Sequence, residues 1–329
     1  MIRAERLEAT RHPEGLNLEF CIPQERDITR LQGEIDSVAQ FLGKDAPVLN
    51  LPESGFLTMP LTANQKHELD NLLEPDIAAY ITNWENNIMS TPIMESGEKM
   101  VSLERALSEV GAIASYSERT FHPVCGEWGS RQKVFWTREG VAGRVAAAAL
   151  ALNHVGIYPH FEDAFRPKGV QEGLFQRRVD TLRSDHPDWD TGLILMEAMT
   201  KTAGSPWNAG HKAGAAVDLT LREIGGEPLD LGNEYPDGGV VVAFDSPFIT
   251  FEQYRTRQIF AAATRLVGMS VYPGEDWHVS FGDALSAMDL NKPSEFTASY
   301  GPIKRFDSKN GEIEPYSSDE YYELFPIIL

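Results

Sequence analysis

The chain has 329 residues, of which 42% are hydrophobic and 24% charged, as in an ordinary soluble globular protein of one large domain or two modest ones. Its formal net charge of −20 disfavours binding to nucleic acid or to anionic lipid, which are themselves negatively charged. Two cysteines cannot form a disulfide framework, and the sequence has neither a secretory signal nor an apolar run long enough to span a bilayer. These features predict a cytoplasmic protein without a nucleic-acid or membrane partner, and they allow a homo-oligomer.

Helices are predicted where apolar residues recur at spacings of three and four, and strands where they alternate or form short apolar runs. In chain order, the sequence predicts a helix at 27–43, an alanine-rich helix at 138–156 that ends at Gly156, a strand at 157–165, helices at 170–186 and 190–203, strands at 213–221 and 239–244, a helix at 250–268 closed by Gly268, a bent strand or hairpin at 269–283, and a hairpin at 302–316 that turns at Asn310-Gly311. Helices and strands mix without strict alternation, which favours an α+β fold over a doubly wound sheet.

The stretch GHKAGAAVDLTL (210–221) places an acidic residue inside a β-prone apolar run. In a strand, the alternating Val and Leu side chains of this run share one face and can pack inward, so Asp218 points from the opposite face. His211 has the wrong parity for that face, but the glycines at 210 and 214 permit a bend that turns its imidazole toward Asp218. A histidine nitrogen and a carboxylate oxygen that converge in this way are suitable zinc ligands.

Catalytic zinc usually has three protein ligands and a water, so a third ligand is needed. The stretch GEDWH offers His278, with Glu275 three residues earlier. One residue of this pair can bind metal while the other accepts a proton from the metal-activated water. Asp276 competes with Glu275 for the role of base, and the residues alone leave that choice open.

Hydrolysis of an amide develops negative charge on the former carbonyl oxygen. Arg166, in EDAFRP (162–167), lies at the predicted exit of a strand, where its guanidinium can face that oxygen or a substrate carboxylate. Asp163, three residues earlier, can hold the arginine in place.

The three blocks EDAFRP, GHKAGAAVDLTL and YPGEDWHVSFGD (272–283) resemble, in order, the signature blocks of the D-alanyl-D-alanine dipeptidases of the vancomycin-resistance type. These zinc peptidases share a small α+β fold, with a mixed or antiparallel sheet flanked by helices, with bacterial D,D-carboxypeptidases and the hedgehog signalling domain. The resemblance covers roughly residues 100 to 285. It implies a catalytic domain at 101–285, between an N-terminal extension at 1–100 of unknown role and a C-terminal extension at 286–329 that holds the predicted hairpin.

Residue by residue, the resemblance implies His211, Asp218 and His278 as zinc ligands, Glu275 as general base and Arg166 as the group that stabilises the tetrahedral intermediate. It also implies that Asp163, Ala209 and Trp277 line the substrate pocket or support the ligands. Two departures stand out: Phe165 replaces a tyrosine of the first block, and Ala209 replaces a serine that helps to line the family's substrate pocket.

The resulting hypothesis is a zinc-dependent hydrolase that cleaves a small peptide, such as a D-amino-acid dipeptide. An alternative is a biosynthetic metalloenzyme that uses the same two histidines and one carboxylate with iron, on a modified amino acid or peptide. A non-enzymatic protein that keeps zinc structurally is the third reading. It is disfavoured because neither Glu275 nor Arg166 is needed merely to hold a metal.

Overall fold

The computed structural model describes residues 20–21, 25–49, 56–57, 91–117, 133–201, 210–236, 239, 241–246, 248–286 and 296–320. Its six described α-helices are α1 (Glu25–Phe41), α2 (Leu103–Glu109), α3 (Glu139–His154), α4 (Lys168–Asp185), α5 (Thr191–Lys201) and α6 (Phe251–Leu266). Its described strands are β1 (Phe20–Cys21), β2 (Phe56–Leu57), β3 (Met100–Ser102), β4 (Ser115–Tyr116), β5 (Trp136–Arg138), β6 (Ile157–Asp163), β7 (Ala216–Glu223), β8 (Ser270–Val271), β9 (His278–Ser280), β10 (Ile303–Phe306) and β11 (Ile313–Pro315).

A five-stranded sheet with the order β4-β6-β7-β9-β8 forms the centre of the fold. Strand β4 runs parallel to β6 and the other neighbours pair antiparallel, so the sheet is mixed. The alternating residues Val217, Leu219 and Leu221 of β7 are buried in one hydrophobic cluster with side chains of α3 and α6. The predicted α+β class, with a small mixed sheet flanked by helices, is confirmed.

Local signals account for the ends of the two central helices. Helix α3 is followed by Gly156, whose φ of +83° is a left-handed conformation that favours glycine. Helix α6 begins at a capping box, in which the Thr250 hydroxyl accepts from the backbone amide of Gln253 and Gln253 Oε1 accepts from the backbone amide of Thr250. Both helices were predicted within two residues of their ends.

Most other predicted elements are also confirmed, including the hairpins β8–β9 and β10–β11. The predicted strand at 239–244 is wrong, because its described residues form successive turns. The carbonyls of Val241, Ala243 and Phe244 accept hydrogen bonds from Arg257, so they are engaged by a side chain rather than by a neighbouring strand.

The predicted domain bounds stay a prediction, but the described parts of both extensions contact the central unit. Helix α1 packs on α6 and α3 through an apolar side that includes Leu31 and Ile35, and Glu34 forms an ion pair with Arg255. Near the C-terminus, the amide of Ile303 donates to the carbonyl of Lys212, beside His211. Among the described helices, none is both long and apolar enough to cross a membrane.

Candidate metal centre

Three ligand atoms converge at one end of the central sheet. His211 Nε2 lies 3.1 Å from Asp218 Oδ1 and 3.2 Å from His278 Nδ1, and His278 Nδ1 lies 2.9 Å from Asp218 Oδ1. All three side chains are at least nine-tenths buried. The structure therefore brings together the three residues that the sequence predicts as metal ligands.

The sheet and one turn position these ligands. Asp218 on β7 pairs directly with His278 on the antiparallel strand β9. His211 lies in a turn just before β7, which includes Gly214 with a φ of +68°. A Cβ on Gly210 would stand 2.4 Å from Asp283 Oδ2, so this close approach requires glycine. The two glycines thus provide the bend that the sequence predicts.

The hydrogen bonds of His211 show what the centre requires. Its Nδ1 lies 2.6 Å from the carbonyl of Ala164, an acceptor only, so Nδ1 carries a proton. In the neutral ring, Nε2 then presents a lone pair to Asp218 Oδ1, and two lone pairs at this distance repel each other. A cation between the three atoms resolves the repulsion.

The donor set fits a divalent metal ion. Zinc–nitrogen bonds of about 2.0 Å in a tetrahedral site place neighbouring ligand atoms about 3.3 Å apart. The three distances between the donor atoms here, from 2.9 to 3.2 Å, are close to one face of that tetrahedron. Within the described chain, this is the one group of His, Cys, Asp or Glu side chains placed to hold a metal.

Glu275 lies beside the ligands, at the open edge of the centre. Its Oε2 is 3.9 Å from His278 Nδ1, and its side chain is 34% exposed. Burial of the centre, with the negative charges of Asp218 and Asp276, raises the pKa of Glu275 to about 7 against the opposing charges of His278 and Arg166. A carboxyl group with a pKa near neutrality is suited to accept and return a proton.

Arg166 also faces the centre. Its Nε donates to Asp163 Oδ2 at 2.8 Å, as the sequence predicts, and its Nη2 donates to Asp218 Oδ2 at 2.7 Å. Asp163 in turn accepts from the amide of Ala164, which fixes its carboxylate. The guanidinium of Arg166 therefore also binds Asp218 Oδ2, the carboxylate oxygen that does not face the two imidazoles.

Two contributors were not predicted. Tyr235 donates from its hydroxyl to Asp218 Oδ2 at 3.2 Å, and its ring packs edge-on against Trp277 at 5.3 Å between centroids. Arg257 forms an ion pair with Asp276, with 2.9 Å between Nη2 and Oδ2, and neither side chain is exposed. Asp276, the competing candidate for the base, thus points away from the ligands. Sequence spacing carries no signal for either contact, because Tyr235 lies in a loop and Arg257 on a distant helix.

Of the other predicted pocket residues, Trp277 is 4% exposed and Ala209 lies outside the described residues.

Comparison with known proteins identifies the family of the chain. Residues 100–297, more than half of the chain, match the family model described as D-ala-D-ala dipeptidase. The protein is accordingly a metallopeptidase. It belongs to the D-ala-D-ala dipeptidase family, which confirms the resemblance of the three signature blocks.

The chain is similar to one curated protein and to one solved structure. The D-alanyl-D-alanine dipeptidase of Synechocystis sp. is 26% identical over 230 residues, which cover 62% of this chain and 90% of that protein. A crystal structure of a variant of the vancomycin-resistance D,D-pentapeptidase VanY, in complex with Zn(II), is 12% identical and covers 56% of this chain and 94% of that one, with a TM-score of 0.33.

Proposed function

We propose that the protein is a zinc-dependent dipeptidase that hydrolyses a small dipeptide of the D-Ala-D-Ala type. The observation that carries the proposal is the buried convergence of His211 Nε2, Asp218 Oδ1 and His278 Nδ1 with Glu275 beside them. The naming of the Synechocystis relative as a D-alanyl-D-alanine dipeptidase supports the choice of substrate, and the donor set of two imidazoles and one carboxylate supports the choice of zinc.

Zinc bound by these three residues would lower the pKa of a water and polarise the scissile carbonyl. Glu275 accepts the proton of the attacking water on its carboxylate and then passes it to the leaving amine. Arg166 offsets the negative charge that develops on the carbonyl oxygen, while its bond to Asp163 keeps the guanidinium in place. Tyr235 and Arg166 together hold Asp218 Oδ2, so that Oδ1 faces the two imidazoles.

The test combines metal analysis with a panel of L- and D-dipeptides that includes D-Ala-D-Ala. Wild-type protein should contain one zinc per chain and hydrolyse D-Ala-D-Ala. Glu275→Gln should keep the zinc and lower kcat by at least about 1000-fold, since it removes the proton acceptor and leaves the ligands in place. Near-normal turnover by this variant would refute Glu275 as the base.

Metal analysis also tests the alternative with iron, which the named relatives do not support. Protein purified without added metal should contain zinc. Stoichiometric iron with oxygen-dependent activity would replace the hydrolase proposal. The homo-oligomer and the cytoplasmic location stay predictions.

A further inference from the structure

A buried ion pair lies directly behind the turn that carries the proposed base. In this turn the amide of His278 donates to the carbonyl of Glu275 at 3.3 Å, so Glu275 and His278 are its first and last residues. Asp276 and Trp277 are its two central residues. The conformation of these two residues therefore fixes where the Glu275 carboxylate stands relative to a metal ligand.

The carboxylate of Asp276 is fastened to helix α6. Its Oδ2 lies 2.9 Å from Arg257 Nη2, and both side chains are fully buried. The amide of Asp276 also donates to the carbonyl of Val242 at 2.9 Å. Asp276 is thus held through a hydrogen bond of its backbone amide and through the charge pairing of its side chain.

The same guanidinium binds the segments that surround the turn. Arg257 donates to the carbonyls of Leu231, Val241, Ala243 and Phe244, and to the side-chain oxygen of Asn233. The first of these segments leads to Tyr235, which contacts Asp218. The second lies between α6 and the turn, where the amide of Phe244 donates to the carbonyl of Pro273. One side chain therefore joins both loops to the helix.

We propose that Arg257 and Asp276 are a positioning pair for Glu275, which set the direction of its carboxylate toward the attacking water. The inference rests on the proposed role of Glu275. A buried charge pair is a costly way to stabilise a fold, since apolar side chains of similar volume often do as well. Its value here is geometric, because the pair restrains the short turn that carries both Glu275 and His278. A shift of about 1 Å in a reacting group can lower the rate by about 100-fold.

The proposal separates turnover from metal binding. Asp276→Asn keeps the shape of the side chain and removes its charge. It should lower kcat by about 10- to 100-fold while KM and the zinc dissociation constant, measured by competition with a chelator, change by less than about two-fold. A merely structural role would weaken zinc binding along with turnover, because His278 belongs to the same turn.

A double-mutant cycle sharpens the test. If Asp276 acts through Glu275, then Asp276→Asn should cause no further loss of kcat when Glu275→Gln is already present, measured at high enzyme concentration. Glu34→Gln is the matched control. It removes one acidic partner of Arg255, which lies on the same helix as Arg257, and should leave kcat unchanged. If Asp276→Asn does not fold with zinc, Arg257→Lys keeps the positive charge without the planar fork, and its loss of kcat should likewise disappear in the Glu275→Gln background.

Near-normal kcat in a folded, zinc-loaded Asp276→Asn would overturn the positioning role. So would a result in which Asp276→Asn lowers kcat by the same factor whether or not Glu275→Gln is present. If Glu275→Gln itself turns over normally, the proposed base is wrong and the positioning role is refuted with it. If Glu275→Gln is inactive while Asp276→Asn is normal, only the positioning role is wrong.

Discussion

Asp218 and His278 lie directly opposite each other on two neighbouring antiparallel strands, and Asp218 Oδ1 stands 2.9 Å from His278 Nδ1. This pairing places two candidate ligands at a fixed distance by strand register alone. Asp218→Asn keeps the size of the side chain but removes the negative charge that a metal ion requires. We expect zinc affinity to fall by more than about 100-fold, with loss of turnover.

Metal content after dialysis against a weak chelator measures this loss. Glu162→Gln, which changes a carboxylate on the neighbouring strand β6 that is outside the ligand set, should keep its zinc and serves as the control. Full zinc retention by Asp218→Asn would remove this aspartate from the ligand set.

Tyr235 supports the same carboxylate from the side opposite the imidazoles. Removal of its hydroxyl in Tyr235→Phe leaves Arg166 as the remaining described donor to Asp218 Oδ2. We expect a fall in zinc affinity of about 10-fold, as for other groups that orient metal ligands. Competition with a chromophoric chelator measures it. An unchanged affinity would show that Arg166 suffices to orient Asp218.

The signature blocks carry much of this centre, because spacing and residue type indicate local structure well. The run from His211 to Leu221 predicts both the strand and the face of Asp218, and the glycines around His211 predict the bend. Tyr235 and Arg257 escape such reasoning, because neither lies in a signature block. Tyr235 lies in a loop, and tertiary packing rather than local spacing decides which partners the buried Arg257 meets. The described residues of 239–244 were wrongly predicted as a strand because their composition favours β structure. In the structure, the carbonyls of Val241 and Ala243 accept hydrogen bonds from Arg257 instead of from a neighbouring strand.

His160 gives a pH dependence that is separate from the metal centre. Burial, together with the positive charges of Arg222 and Lys133, lowers its pKa to about 4. The fold therefore favours the neutral ring, whereas the unfolded chain binds a proton near pH 6.5. The stabilising contribution is complete above pH 6.5 and is lost as the pH falls toward 4.

We expect wild-type protein to lose about 2 kcal/mol more unfolding free energy than His160→Gln between pH 7.5 and 4.5. Urea denaturation in excess chelator measures it, since the ligand residues then titrate without metal in both proteins. Equal pH dependence of the two proteins would show that the fold does not exclude the proton from this ring.

Gly311, in the C-terminal hairpin, lies against the strand that precedes α2. It has a φ of +79°, and a Cβ there would stand 2.0 Å from the carbonyl oxygen of Met100. Gly311→Ala should lower the unfolding free energy by at least about 2 kcal/mol, through backbone strain and this clash. Gly43→Ala is the control: φ there is +63° but no atom lies within 4 Å, so only about 1 kcal/mol is expected. Thermal unfolding midpoints compare the two variants. Equal shifts would show that the hairpin moves away from Met100 without a measurable loss of unfolding free energy.

Strand β7 lies third of five in the sheet, with hydrogen-bonded neighbours on both sides. Backbone amides in such a place exchange with solvent deuterium only when the whole domain opens. The amide of Leu219, which donates to the carbonyl of Trp277, should therefore be among the slowest to exchange. The loop that carries Tyr235 lies outside the strands, so its amides should exchange through smaller openings. Asp218 on β7 would then keep its position during local openings of the loop that break its hydrogen bond with Tyr235.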